Sequence, residues 1–195
     1  MIEIGIRDEE FIRGDVPMTK QEIRILSLVK ARIHSRDVVY DIGAGTGSFS
    51  IEAARLASDG AVYALERNPK AVDLISQNAE KFDIENLTVM ETEAPEGMEH
   101  LPMANVIFVG GTGGDMVEIL TAADLGLKEG GRIVVNCVTI QSLMACIFFF
   151  REHADAYDYE SVQIQASRLE QVGDYDMAKA MNPVYIITGH KRSKQ

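Results

Sequence analysis

Cationic side chains, cysteines and long apolar runs are all scarce in this sequence. Lys and Arg number 19 against 30 Asp and Glu, a formal net charge of -11. That sign opposes the non-specific attraction by which proteins hold phosphate backbones, so nucleic acid ranks low among expected partners. The only two cysteines are Cys137 and Cys146. They lie in apolar surroundings with no CxxC and no histidine at ligand spacing, which points to buried free thiols in a reducing compartment. His34, His100, His153 and His190 are scattered and sit in no motif, so no metal ligand is assigned among them. The longest apolar stretch, 143–150, falls far below the ~20 residues needed to cross a bilayer. Arg7, Asp8, Glu9 and Glu10 precede any apolar run, so no signal-peptide layout is visible and a cytoplasmic location is expected. Internal repeats and low-complexity segments are also missing.

What is present suits one folded domain over residues 1–195: 46% hydrophobic and 25% charged residues are the usual globular balance. Thr19-Lys20-Gln21-Glu22 has capping-box spacing, and Ile23, Leu26, Val29, Lys30 and Ile33 follow with near-helical periodicity, so an N-terminal helical segment is expected within about 8–35. Short β-branched runs at 37–42, 61–66, 87–91, 105–109 and 132–136 read as strands buried on both faces. Helical patterns fall between or after them: Phe49 to Leu56, a segment opened by Asn68-Pro69 and running to about 82, then 115–127 and 140–153. Such alternation predicts an α/β, doubly wound, mostly parallel sheet. Beyond His153, the stretches 157–165 and 183–189 suit a closing antiparallel pair, giving seven strands. Between them, 166–182 has no clear periodicity and is expected to be a mobile connector or a substrate lid.

Asp41-Ile42-Gly43-Ala44-Gly45-Thr46-Gly47 falls where the first parallel strand meets its helix, the place where doubly wound sheets bind ligands. Glycines there let the chain turn sharply and let a ligand lie against the backbone. Nineteen residues past Gly47 comes Glu66, at the end of the second strand, where a carboxylate can accept hydrogen bonds from both hydroxyls of a ribose. A dinucleotide fold uses a related arrangement, but its fingerprint GxGxxG would place the third glycine at Ser48, whereas this chain has GxGxG. Asp41 beside the loop suits a ligand bearing ammonium or sulfonium and repels a pyrophosphate. This pattern resembles the first motif of the class I S-adenosylmethionine-dependent methyltransferases. Thr92-Glu93-Ala94-Pro95 then falls at the adenine-contacting loop of that fold, where Glu93 or the N-H near Ala94 would read the adenine edge; a helix start with favourable acidic residues explains Glu93 equally well.

A narrower likeness rests on the Gly110-Gly111-Thr112-Gly113-Gly114 turn after the fourth strand, the Thr19 to Arg24 segment (TKQEIR) and the Val135 to Thr139 strand end (VNCVT). With these, the chain from about 8 to 189 is similar to the precorrin methyltransferase family CbiT. The resemblance implies S-adenosylmethionine-dependent methylation of cobalt-precorrin-6B at carbon 15 with loss of the ring C acetate carboxyl, in anaerobic cobalamin synthesis. It also implies cofactor binding through Thr19, Gly43 to Gly47, Glu66 and Ala94, a homotetramer, and a carbon-5 precorrin methyltransferase as functional partner. Glu66 and Glu93 stand where aspartate is commoner in the family. A class I methyltransferase for another small molecule or a protein, or a non-catalytic cofactor-binding subunit, would share every cofactor residue.

A tetrapyrrole with many acetate and propionate arms is strongly anionic, so the few cations must gather at its site. Lys20 and Arg24, four apart on one helix face, and Arg168 and Lys179, in the 166–182 segment, are the candidates for its carboxylates. The glycines of the 110–114 turn would let a flat macrocycle approach, and Asn136 and Thr139 are expected to face the same cleft. No general acid or base is singled out.

Overall fold

The computed structural model describes residues 4–111 and 113–193. Five parallel strands build its centre: β1 (Val38–Ile42), β2 (Ala61–Glu66), β3 (Leu87–Glu91), β4 (Ala104–Val109) and β5 (Leu127–Cys137). Helices α1 (Gln21–Ala31), α2 (Ser48–Leu56), α3 (Pro69–Lys81), α4 (Met116–Gly126) and α5 (Ile140–Glu152) precede, separate or follow them. β6 (Tyr157–Ile164), β7 (Ser167–Val172), β8 (Tyr175–Ala180) and β9 (Val184–Lys191) complete the chain. The main sheet runs β3-β2-β1-β4-β5-β9-β6, with β9 antiparallel to both neighbours. This is the expected doubly wound, seven-stranded sheet. Among the described residues no helix is long and apolar enough to cross a membrane.

Alternation along β1 shows why these residues make a two-faced layer. Tyr40 and Ile42 join Leu65, Ile107, Val109, Ile133 and Val135 in the core under α4 and α5. Val39 joins Val62, Val106, Phe108 and Val134 in the core under α1 and α2. In parallel register Val39 meets Val62 and Val106, so β-branched side chains stack across three strands. The side chain of Asp41 falls among the α2-facing positions, where Ser50 meets it. Cys137 and Cys146 are free and buried, with sulfurs 3.7 Å apart.

Three local expectations are corrected. First, the N-terminal segment is helical only in a short 3-10 turn (Asp8–Glu10) and in α1. Residues 11–20 are irregular because Gly14 and Pro17 oppose a helix and the buried amide of Asn78 takes both backbone groups of Ile12, at 2.8 and 3.1 Å. Second, Lys20, not Thr19, is the N-cap of α1, without a side-chain cap. The Thr19 carbonyl receives Arg24 Nη1 at 2.8 Å, and Glu22 is held by Arg168, so no capping box forms. Third, residues 166–182, expected as a mobile connector or a substrate lid without periodicity, are regular structure: β7 and β8 form an antiparallel hairpin of their own. Gly173, with φ 63, occupies the first position of its two-residue turn, where a side chain would be strained. Every residue of both strands is exposed, so nothing imposed an apolar-polar alternation that sequence reading could detect.

Candidate active site

The carboxyl ends of β1, β2, β4 and β5 open into one cleft of about 850 Å³. The chain at Val16 to Lys20 borders it on one side, and the hairpin base, Ala166 and Ala180 to Asn182, borders it on another. Its floor is made by two glycine turns in backbone contact. Gly110 N donates to Ile42 O at 2.9 Å, and a Cβ on Gly43 would stand 2.3 Å from Gly111 O. Gly43 has φ 70, so both its conformation and this approach exclude a side chain. The β1 turn is closed by Gly43 N and Ala44 N donating to Leu65 O, and by Gly47 N donating to Ala44 O.

Two carboxylates flank this turn. Glu66 accepts the N-H of Gly45 on Oε2 and that of Asn68 on Oε1, both at 2.9 Å. One backbone donor per oxygen fixes the carboxylate and leaves each oxygen a further lone pair with which to accept a hydroxyl. Asp41 is 2% exposed and accepts the Ser50 hydroxyl. Burial pushes its carboxyl up to about 6, against the Ser50 hydrogen bonds, with a smaller upward push from the charge of Glu66. Two acids at a glycine turn reject a pyrophosphate and accept a ribose beside a cationic centre. The donor set therefore fits S-adenosylmethionine.

Of the residues expected to hold cofactor, Thr19, Asp41, Gly43, Ala44, Gly45 and Glu66 line the cleft. Thr46 and Gly47 are buried behind it, Gly47 against Ile75 and Thr46 with its carbonyl on Asn78 Nδ2 at 2.9 Å. Glu93 and Ala94 line a small adjoining hollow with Ile42, Leu65, Arg67 and Gly111. Of the substrate candidates, Lys20, Gly110, Gly111, Gly113 and Asn136 line the cleft, with Asn136 Oδ1 3.0 Å from the Ser27 hydroxyl. Gly114 is exposed beside it, and Thr112 lies outside the described residues.

Four candidates are placed differently from expectation. Arg24 is fully buried: its guanidinium meets Glu52 at 2.6 Å, Asp8 at 3.2 Å and the carbonyls of Thr19 and Ile6, and lies over the Phe11 ring. A side chain so enclosed holds the N-terminal segment to α2 and does not face the cleft. Arg168 bridges Glu22 at 2.8 Å and Asp8 at 3.1 Å, and its guanidinium holds the Glu22 carboxyl below its ordinary value. Lys179 pairs with Glu170 at 3.0 Å within the hairpin. Thr139 caps α5, accepting Ser142 N at 3.1 Å.

Sequence reasoning missed Arg67. It lines both the cleft and the adjoining hollow and pairs with Glu93. Its position directly after the strand-ending acid was the available signal. The hairpin base was missed with the hairpin itself.

Sheet order, crossover glycine turn and strand-end acid together define a class I methyltransferase fold. Solved structures share it down to low identity: an S-adenosylmethionine-dependent O-methyltransferase from Thermotoga maritima superposes with TM-score 0.75 at 18% identity, covering 91% of this chain and 68% of that one. The family model described as a precorrin methyltransferase domain matches residues 10–191, and this chain belongs to that family. A probable cobalt-precorrin-6B C(15)-methyltransferase (decarboxylating) of Pyrobaculum aerophilum is 40% identical over 189 residues, 95% of each chain. The enzyme of that name from Salmonella typhimurium is 37% identical over 187 residues, 95% of this chain and 96% of its own. A precorrin-6y C5,15-methyltransferase structure from Geobacter metallireducens is 42% identical with TM-score 0.89, covering 97% of both chains.

Proposed function

We propose that this chain methylates cobalt-precorrin-6B at carbon 15, with decarboxylation of the ring C acetate, in cobalamin biosynthesis. The observation that carries this reading is end-to-end identity of about 40% with relatives of that activity, in a chain whose acid-flanked glycine turn opens into a second glycine turn. S-adenosylmethionine, when bound, supplies an electrophilic methyl group.

The chain's own residues then have definable tasks. Glu66 receives ribose hydroxyls, the Gly43 to Gly45 backbone lies along the nucleoside, Thr19 closes over it, and Glu93 and Ala94 border the base. Asp41 faces the cationic part of the cofactor. Gly110 and Gly111 leave room for a flat macrocycle beside it; among the described residues, its own chain neighbours aside, no heavy atom lies within 4 Å of where a Gly111 Cβ would stand. Methyl transfer to an electron-rich meso carbon needs alignment and water exclusion more than a strong base. The conjugated macrocycle itself accepts the electrons released by decarboxylation. The chain works in the cytoplasm as a homo-oligomer, a tetramer by family resemblance, alongside a carbon-5 methylase. Exposed apolar side chains on α5 (Phe148) and on the hairpin (Leu169, Tyr175, Met177) support self-association.

The test is turnover of cobalt-precorrin-6B by the purified chain with S-adenosylmethionine, followed by mass spectrometry. Gain of one methyl with loss of one carbon dioxide supports the reading. Methylation of some other acceptor, or turnover only with an added methylase, overturns it.

A further inference from the structure

The cleft has a charge problem that, of the cations predicted from sequence, Lys20 alone addresses. Asp41 and Glu66 line it and Glu93 borders the hollow next to it, yet the proposed substrate is a polycarboxylate. Arg24 and Arg168 are each held by two protein carboxylates, and Lys179 pairs with Glu170 on the hairpin, outside the cleft lining. Among the described residues lining the cleft, only two are Lys or Arg: Lys20 and Arg67. Lys20 makes no ion pair with any described residue, and as an ammonium it offers a point charge without fork geometry.

Arg67 has a single ion-pair partner among the described residues, where Arg24 and Arg168 each have two. Its side chain is 58% exposed, and its ion-pair partner Glu93 is 59% exposed. Such a pair contributes roughly 0 to 1 kcal/mol and exchanges readily. The guanidinium lies over the second glycine turn, where a Cβ on Gly113 would come within 3.0 Å of Nη1. It thus sits where the nucleoside end of the cleft meets the glycines left open for the macrocycle.

We infer that Arg67 is a substrate-binding residue that takes a carboxylate arm of the tetrapyrrole, exchanging Glu93 for it. The inference rests on the proposed class of substrate and adds the residue that selects it. An Arg fork binds a carboxylate through two parallel hydrogen bonds, so it fixes the orientation of the macrocycle as well as its charge. Glu93 holds the side chain at the junction until the arm arrives.

The test titrates the protein, saturated with S-adenosylhomocysteine, with uroporphyrin, an octacarboxylate macrocycle, by quenching of tyrosine fluorescence. Arg67→Met is expected to weaken uroporphyrin about tenfold, the loss of one charge-assisted contact. Affinity for S-adenosylhomocysteine should stay within about twofold, Arg67→Lys should recover part of the loss, and the difference from the unsubstituted protein should shrink as salt is raised. Because Arg67 is on the surface, the substitution leaves folding intact. Uroporphyrin affinity unchanged in Arg67→Met, or a cofactor affinity that falls as far as that for uroporphyrin, overturns the inference. If the Arg67 effect appears while the chain fails to turn over cobalt-precorrin-6B, the inference stands and the assigned reaction falls.

Discussion

Arg24, on α1, and Arg67, directly after β2, have opposite surroundings. Arg24 is sealed between α1, α2 and the N-terminal segment, with Asp8, Glu52 and two carbonyls on its donors. Arg67 stands at the cleft mouth with one exposed partner. The difference shows two uses of a scarce cation in a chain of charge -11: one whose donors are consumed inside the fold builds a wall, and one held at the cleft by a single exposed carboxylate stays exchangeable. Arg168 lies between the extremes, 43% exposed and shared by Asp8 and Glu22.

Breaking the sealed side should produce the largest effect. Arg24→Met strands Glu52 as a buried carboxylate without a counter-charge and leaves Asp8 only the partly exposed Arg168, and unfolding by urea should show a loss of about 3 to 5 kcal/mol. A variant within 1 kcal/mol of the parent would mean that Arg24 is not the structural member of the comparison.

Asp41 sharpens the contrast from the acidic side. Its carboxyl, buried, is pushed from 3.8 up to about 6, so it binds a proton more tightly folded than unfolded. Its contribution to stability is therefore fully present below pH 3.8 and is lost as pH rises through about 6. At pH 8 the ionised group should cost up to about 3 kcal/mol, at 1.36 kcal/mol per pH unit. Asp41→Asn should accordingly raise the melting temperature at pH 8, change it little at pH 4, and weaken S-adenosylhomocysteine. Equal melting temperatures at pH 8 would contradict the assignment of a buried, destabilising acid to the site.

Smaller effects separate room for substrate from support of the fold. Gly111→Leu projects into open space at the cleft, so turnover should drop at least about tenfold by blocked access while the melting temperature moves by only about 1 to 2 °C. A fully active variant would place the macrocycle elsewhere. Arg168→Ala should reduce stability by roughly 0 to 1 kcal/mol, as partly exposed ion pairs do. It should leave the KM for the tetrapyrrole within about twofold, since Arg168 is already occupied. A KM rise beyond tenfold would return Arg168 to the substrate site.

Much of this architecture was legible because burial on both faces forces a pattern. β1, β2 and β4 had to be short apolar runs, and the acid-and-glycine spacing from Asp41 to Glu66 had to survive at the strand ends. The hairpin was not legible because β7 and β8 bury neither face, so Leu169, Val172, Tyr175 and Met177 follow no period. Arg24 misled for another reason. Its partners Asp8 and Glu52 lie 16 and 28 residues away, so spacing within α1 said nothing about its enclosure. Arg67 escaped notice because a residue beside a recognised acid reads as ordinary surface until Arg24, Arg168 and Lys179, the cations expected at the cleft together with Lys20, are seen to be paired away from it.

Calorimetric titration of S-adenosylhomocysteine into the parent chain and into Glu66→Ala addresses the core of the account. Saturable one-site binding by the parent, reduced at least about a hundredfold in a Glu66→Ala protein of unchanged circular dichroism, is the predicted result. Equal binding by both, or binding by neither, would contradict the placement of a methyl-donor nucleoside at the β1 glycine turn.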